Sequence, residues 1–251
     1  MKNKGLQNEY WFINAINNKK LNELSFLLQD LILFLFPNID QNQKIVCYKN
    51  IYYEKADICI KVGNITKYVG IKMGIRNSVH GEKLITFIKF LYELNIDKNV
   101  INEILKYHYA DGTLDGTGKN RMSIAEYKLT NLKNIYFVNK ELNNLNILKS
   151  AINRFIIQGT QKEFHPIDVL IYGTPGDFLF ITCDEIYKYI LGKRNIESSA
   201  IHFSCLSYQP QARVLNFDKS KEYMRDYIQI KWYNFEDNVI EILNQRAISK
   251  N

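Results

Sequence analysis

Apolar and polar positions change period repeatedly along the chain, from helical spacing to strict alternation and back. Residues 5–19 and 21–36 read as two helices, and the second, built on "LSFLLQDLILFLF", stops at Pro37, which cannot continue a helix. That run contains Gln29 and Asp30 and is too short to cross a bilayer, so it predicts a buried helix. Residues 44–53 are rich in β-branched and aromatic types and predict a strand. Between 57 and 73 two alternating runs meet at Gly63-Asn64, a good two-residue hairpin turn. Residues 77–94 predict a helix capped by Asn77 and Ser78, with Leu84, Phe87, Ile88 and Leu91 at helical spacing.

Further helices are predicted over 97–109, 123–131 and 139–157. The segment 110–123, with two Asp-Gly pairs, is a loop. It begins like a calcium loop, with Asp111, Thr113, Asp115 and Gly116, but Met122 stands where the twelfth-position acid belongs, so the match fails. From 165 the chain turns β-rich, with strands over 168–172, 178–182, 200–208 and 226–234 and a helix near 184–191. This pattern predicts an α/β (α+β) chain in which helices flank a central mixed sheet. We read 1–251 as one domain: a core over about 4–95, a helical connection over 96–160 and a β-rich region over 161–251.

The hairpin can be worked in register. With Gly63-Asn64 as the turn, Val62 opposes Ile65 and Asp57 opposes Gly70; a four-residue loop would set Asp57 opposite Lys72 and leave the faces unchanged. Ile58, Ile60, Val62, Ile65, Val69, Ile71 and Met73 then share one face with Lys67 as an intruder, and Asp57, Cys59, Lys61, Thr66, Tyr68, Gly70 and Lys72 share the other. Alone, Asp57 and Lys72 would be a cross-strand ion pair, a contact that contributes well under about 1 kcal/mol when exposed.

Composition narrows the class. An apolar fraction of 46% and an aromatic fraction of 13% exclude a disordered chain. Cys47, Cys59, Cys183 and Cys205 form no CxxC pair, so neither a zinc ribbon nor a disulfide framework is signalled. With no apolar leader near the N-terminus, a soluble protein of the reduced cytoplasm is expected. The net charge of +7 permits a polyanionic partner, although a chain rich in Lys, Asn and Ile also acquires charge from compositional bias.

Two more carboxylates change the reading of the hairpin. Glu82 falls in the first turn of the helix expected after it, where a carboxylate also suits the helix dipole. Glu9 shares a helical face with Leu6, Ile13 and Ile16, and a carboxylate on an apolar stripe either reaches water or requires a partner. Three carboxylates and a lysine beside a strand pair suit Mg²⁺-assisted phosphodiester hydrolysis, since Mg²⁺ takes hard oxygen ligands.

At these residues the sequence resembles the PD-(D/E)xK nuclease superfamily, the restriction-endonuclease-like fold. "KADI" supplies an aspartate opening one strand, Asp57, and "GIK" supplies the lysine of the neighbouring strand, Lys72. "KGLQNE" resembles the first-helix Gly-x-x-x-Glu of the archaeal Holliday-junction resolvase branch, with Glu9 as its acid. The departure is Gly70, where the family carries Asp or Glu. Some members recruit a glutamate from the following helix instead, and Glu82 matches that position in kind and spacing. The resemblance implies a Mg²⁺-dependent endonuclease acting on double-stranded DNA, of type II restriction or related defence kind, in which Asp57 and Glu82 bind the metal, Lys72 assists the attacking water and Glu9 contributes.

The expected DNA contacts are Asn77, Ser78 and His80 at the head of the predicted helix, with Gln209, Gln211, Arg213, Asn216, Gln229 and Lys231 in the β-rich region. Gln, Asn and Arg are the side chains that read purine edges bidentately, and cutting both strands suits a homodimer. The alternative is a catalytically inert nucleic-acid-binding protein on the same scaffold, for which Gly70 is the main support.

Overall fold

A computed structural model describes residues 4–52, 55–74, 78–161, 163–195, 197, 200–211 and 219–248. Asn77, Arg213 and Asn216 lie outside the described residues. The protein is mixed α/β, with one mixed five-stranded sheet and a second, four-stranded sheet, each accompanied by helices.

The contacts gather into two compact units that interleave along the chain. One comprises 1–77, 152–189 and 234–251, the other 78–151 and 190–233. The segments 4–95, 96–160 and 161–251 are therefore each divided between them.

In the first unit, helix α1 (Lys4–Ile16) and helix α2 (Phe26–Leu35) precede strands β1 (Val46–Lys49), β2 (Ile58–Val62) and β3 (Ile65–Lys72). Strands β5 (Val169–Thr174) and β6 (Asp177–Thr182) complete a sheet of order β1-β2-β3-β5-β6, in which only the β3–β5 pair is parallel. Phe12 and Ile16 of α1 and Leu28, Leu31, Ile32 and Leu35 of α2 form one core with Ile58, Ile60, Val62, Val69 and Ile71 of the hairpin. Burying a side chain of this size contributes about 1.5–3 kcal/mol. The hairpin takes the expected register, with Val62 opposite Ile65, and Gly63 adopts the positive φ of 57° that the turn's first central position requires. Lys67, the charged residue on the core face, reaches Asp168 at 2.8 Å. The other Asp168 oxygen accepts from the Tyr68 amide at 2.8 Å, docking β5 against β3. The first unit also holds most of α8 (Cys183–Gly192) and α9 (Phe235–Ile248), a helix the sequence pattern left unassigned.

In the second unit, β4 (Ser78–Lys83), β7 (His202–Phe203), β8 (Leu206–Pro210) and β9 (Tyr227–Trp232) form an antiparallel sheet of order β4-β9-β8-β7. Helices α3 (Leu84–Glu93), α4 (Lys98–Tyr109), α5 (Ile124–Thr130), α6 (Leu132–Leu142) and α7 (Leu145–Ile152) belong with it, α7 leading into a π-helical segment, Asn153–Ile157. The single helix expected over 139–157 is thus broken. Asn139, within α6, and Asn143, at the break, are buried. Asn139 accepts from the His202 amide at 3.1 Å and Asn143 from the Ser204 amide at 2.7 Å. These two side chains thereby satisfy amides at and just past the edge strand β7.

The expected helix over 77–94 is corrected as well. Ser78–Lys83 is strand β4, and the helix begins only at Leu84, with Lys83 in the cap position. A ladder to β9 satisfies this backbone, and the glycine at 81 and branched Val79 make a poor first helical turn. The partner strand lies about 150 residues away in sequence, so no local pattern could announce it.

Candidate active site

Three residues collect at one end of the five-stranded sheet because antiparallel neighbours bring a strand's start beside its neighbour's finish. Lys49 ends β1, Asp57 immediately precedes β2 and Lys72 ends β3. Register ties them together: Lys49 is opposite Ile58, which is opposite Val69. The Asp57 amide donates to the Val69 carbonyl at 2.9 Å, and the Asn50 amide donates to the Asp57 carbonyl at 3.1 Å. Tyr172 lies beside Lys72 across the parallel β3–β5 pair, and the carboxyl ends of parallel strands are where open sheets bind ligands.

Asp57 does not pair with Lys72. Its Oδ2 accepts from the Ile71 amide at 2.6 Å, a short charge-assisted bond that fixes the carboxylate one residue from the lysine.

Helix α1 delivers the second carboxylate. Glu9 forms an ion pair with Lys49. Burial pushes the Glu9 pKa up; the Lys49 hydrogen bond opposes this, the Asp57 charge adds to it, and the charges of Lys49 and Lys72 oppose it, with a net upward shift. Asp57, Lys49 and Lys72 thus all act electrostatically on Glu9. The buried stripe of α1 is Asn8, Phe12 and Ile16, while Leu6 is exposed, so Glu9 borders the apolar stripe and does not sit within it.

Asn8 is fully buried, and its Nδ2 donates to the Gly173 carbonyl at 2.8 Å. That bond pins α1 to β5, one residue beyond Tyr172. Gly173 has φ of 126°, and a Cβ there would stand 2.3 Å from the Asp177 carbonyl oxygen, so only glycine fits. Sequence reasoning missed Lys49 and Asn8. For Asn8 a signal existed, since it heads the i, i+4, i+8 series completed by Phe12 and Ile16.

Gly70 is closely walled. A Cβ there would meet Leu170 Cδ1 at 3.0 Å, the Lys55 carbonyl oxygen at 3.3 Å and Ile167 Cδ1 at 3.5 Å. An acid at this position would project among apolar side chains.

Glu82 belongs to the second unit, in β4, and not to a helix. Its Oε1 lies 3.1 Å from His80 Nε2, and both side chains are buried. His80 is thereby turned into the protein. Ser78 is half-buried at the start of the same strand. Among the described residues, no group of three or more His, Cys, Asp or Glu side chains is arranged to hold a metal ion. The hard-oxygen donors gathered at the sheet end are the carboxylates of Glu9 and Asp57. Such a set suits Mg²⁺, which is held by one or two carboxylates and completes its shell with water and substrate phosphate.

The second unit carries the other expected contacts in rows. Gln209 is opposite Gln229, which is opposite Gly81, and Ser207 is opposite Lys231, which is opposite Ser78. Along β9, Ile228, Ile230 and Trp232 are buried while Tyr227, Gln229 and Lys231 are half-buried, giving the sheet one polar face. Gln211 follows at the end of β8, where its amide donates to the Tyr227 carbonyl at 2.9 Å.

No model of a known protein family matches the chain, and no curated protein matches its sequence.

Proposed function

We propose that this protein is a metal-dependent endonuclease of double-stranded DNA, akin to type II restriction and related defence nucleases, with its catalytic residues at the end of the five-stranded sheet. The observation that carries the reading is the ion pair that ties Glu9 of α1 to Lys49, at the sheet end where Asp57 and Lys72 also lie. Glu9 takes the second-acid role expected of Glu82, and Asp57 and Glu9 are the residues that would hold Mg²⁺. A bound Mg²⁺ supplies Lewis-acid charge at the scissile phosphate and acidifies water.

The chain's own groups do the remaining work. The Ile71 amide holds the Asp57 carboxylate in one orientation. Lys49 holds Glu9 in an ion pair and opposes the upward push that burial gives its pKa. Lys72, at the strand end, orients the attacking water or neutralises charge developing on the phosphate. The polar face holding Gln209, Gln229 and Lys231 contacts DNA, and two copies of the chain serve the two strands. Four unbridged cysteines suit the reduced cytoplasm where such DNA is met.

A second reading, an inert nucleic-acid-binding protein, draws on the apolar wall at Gly70 and on the engagement of Glu9 by Lys49. The test is incubation of wild type, Asp57→Ala and Lys72→Ala with plasmid and phage DNA, with Mg²⁺ and with chelator. Mg²⁺-dependent fragments lost in both variants support the endonuclease. DNA binding without cleavage, unchanged by either substitution, overturns it in favour of the inert reading.

A further inference from the structure

An open cavity of about 650 Å³ lies within the second unit, a volume suited to a nucleotide-sized ligand. Its wall includes Lys83 and Tyr227, the terminal register pair of β4 and β9. The cavity therefore continues the polar sheet face beyond the Gly81–Gln229–Gln209 row. Leu84 and Ile88 of α3 and Leu105 of α4 give it an apolar floor.

The rim is polar and aromatic. Tyr223 is 68% exposed, an aromatic face left to solvent beside the opening. Asp226 is oriented by Tyr109, whose hydroxyl donates to Oδ1 at 2.9 Å. Asp115 is oriented by Thr117, which donates its amide at 3.1 Å and its hydroxyl at 2.7 Å. Two pre-set, exposed acceptors thus line the rim of the cavity.

We propose that this cavity receives a single nucleobase, guanine best of all, stacked on Tyr223 or Tyr227 with its N–H edge toward Asp226 and Asp115 and its phosphate toward Lys83. The aromatic faces accept any base, because every base has a π face. The carboxylates discriminate. Guanine presents N1–H and N2–H₂ side by side, whereas uracil and thymine flank their one N–H with carbonyl oxygens that would meet the carboxylates. Both carboxylates are exposed, so the discrimination they give is that of a hydrogen bond to a charged group exchanged against water, about tenfold. Lys83 is exposed at the mouth, where a phosphate would remain wet. That the base belongs to a nucleic acid lying along the sheet rests on the DNA-binding reading above; the pocket itself does not.

Equilibrium dialysis of the full chain against GMP, AMP, CMP and UMP in chelator-containing buffer tests this without any cleavage. The expected result is saturable GMP binding, with UMP weaker by about tenfold. Tyr223→Ala and Asp226→Asn should each weaken GMP by about tenfold, with the far-UV circular dichroism unchanged. Ile85→Trp, at a 60% exposed position on the wall, should block binding while preserving the fold. Equal binding of all four nucleotides, no saturable binding of any, or binding of an arylalkylamine such as tyramine with nucleotides excluded would each overturn the proposal. GMP binding by a protein that leaves DNA intact keeps the pocket and removes the endonuclease; cleavage without nucleotide binding does the reverse.

Discussion

The Oδ2 atom of Asp57 accepts the amide hydrogen of Ile71 at 2.6 Å, so the carboxylate at the start of β2 is fixed beside Lys72 by backbone and not by the lysine itself. Geometry and charge at this position can therefore be separated. Asp57→Asn keeps an oxygen for the Ile71 amide and should hold stability within about 0.5 kcal/mol. Asp57→Ala leaves that half-buried amide unpaired and should cost about 1–2 kcal/mol in urea denaturation. Both should abolish cleavage, and an active Asp57→Asn would count against metal binding by this residue.

Gly70 offers a second test. Restoring the acid of the resembled family, Gly70→Asp, sets a carboxylate against Leu170 and Ile167. It should be less stable than Gly70→Ala by about 1–3 kcal/mol, the cost of a poorly paired buried polar group. Cleavage should not rise. A stable, more active Gly70→Asp would return the second-acid role to this strand.

The Glu185–Arg246 pair predicts a pH dependence of stability remote from the candidate active site. Arg246 donates twice to Glu185 at 2.6 Å, joining α9 to α8. Burial pushes the Glu185 pKa up, but the hydrogen bonds from Arg246 and Thr182 and the Arg246 charge outweigh it, leaving the value below the ordinary 4.5. A depressed carboxylate stabilises the fold above its unfolded-state pKa, and that contribution is lost as pH falls through the folded-state pKa. The denaturation midpoint of wild type should exceed that of Glu185→Gln at neutral pH, and the gap should close as pH falls below 4.5. Arg246→Met should remove most of the pH dependence of the gap.

On the polar sheet face, Lys231 and Gln229 should behave differently toward DNA. Lys231→Ala should weaken all sequences alike and reduce the slope of log K against log salt by about 0.9, the loss of one phosphate contact. Gln229→Ala should change the preference among sequences and leave that slope unaltered. Titrations of two unrelated duplexes at several salt concentrations check both, and identical behaviour of the two variants would contradict a reading role for Gln229.

Much of the first unit was legible in the sequence because its determinants are local. The Gly-Asn turn and the period-two alternation set the hairpin register, from Val62 opposite Ile65 to Ile58 opposite Val69. The apolar spacing of Leu84, Phe87, Ile88 and Leu91 marked the buried face of α3. The stretch before it was misread because Asn77 and Ser78 resemble a helix cap, while the pairing that makes 78–83 a strand comes from β9.

By itself, then, the sequence determined the hairpin, its two faces and the candidate Asp57 and Lys72, since side-chain alternation and turn chemistry act over a few residues. Tertiary structure alone decided that Lys49 meets Glu9, that Asn8 pins α1 to Gly173, and that Glu82 pairs with His80 in a strand. Those relationships depend on which distant segments supply hydrogen-bond partners and apolar cover. Such partners are chosen by the packed chain as a whole, and no local window of sequence contains them.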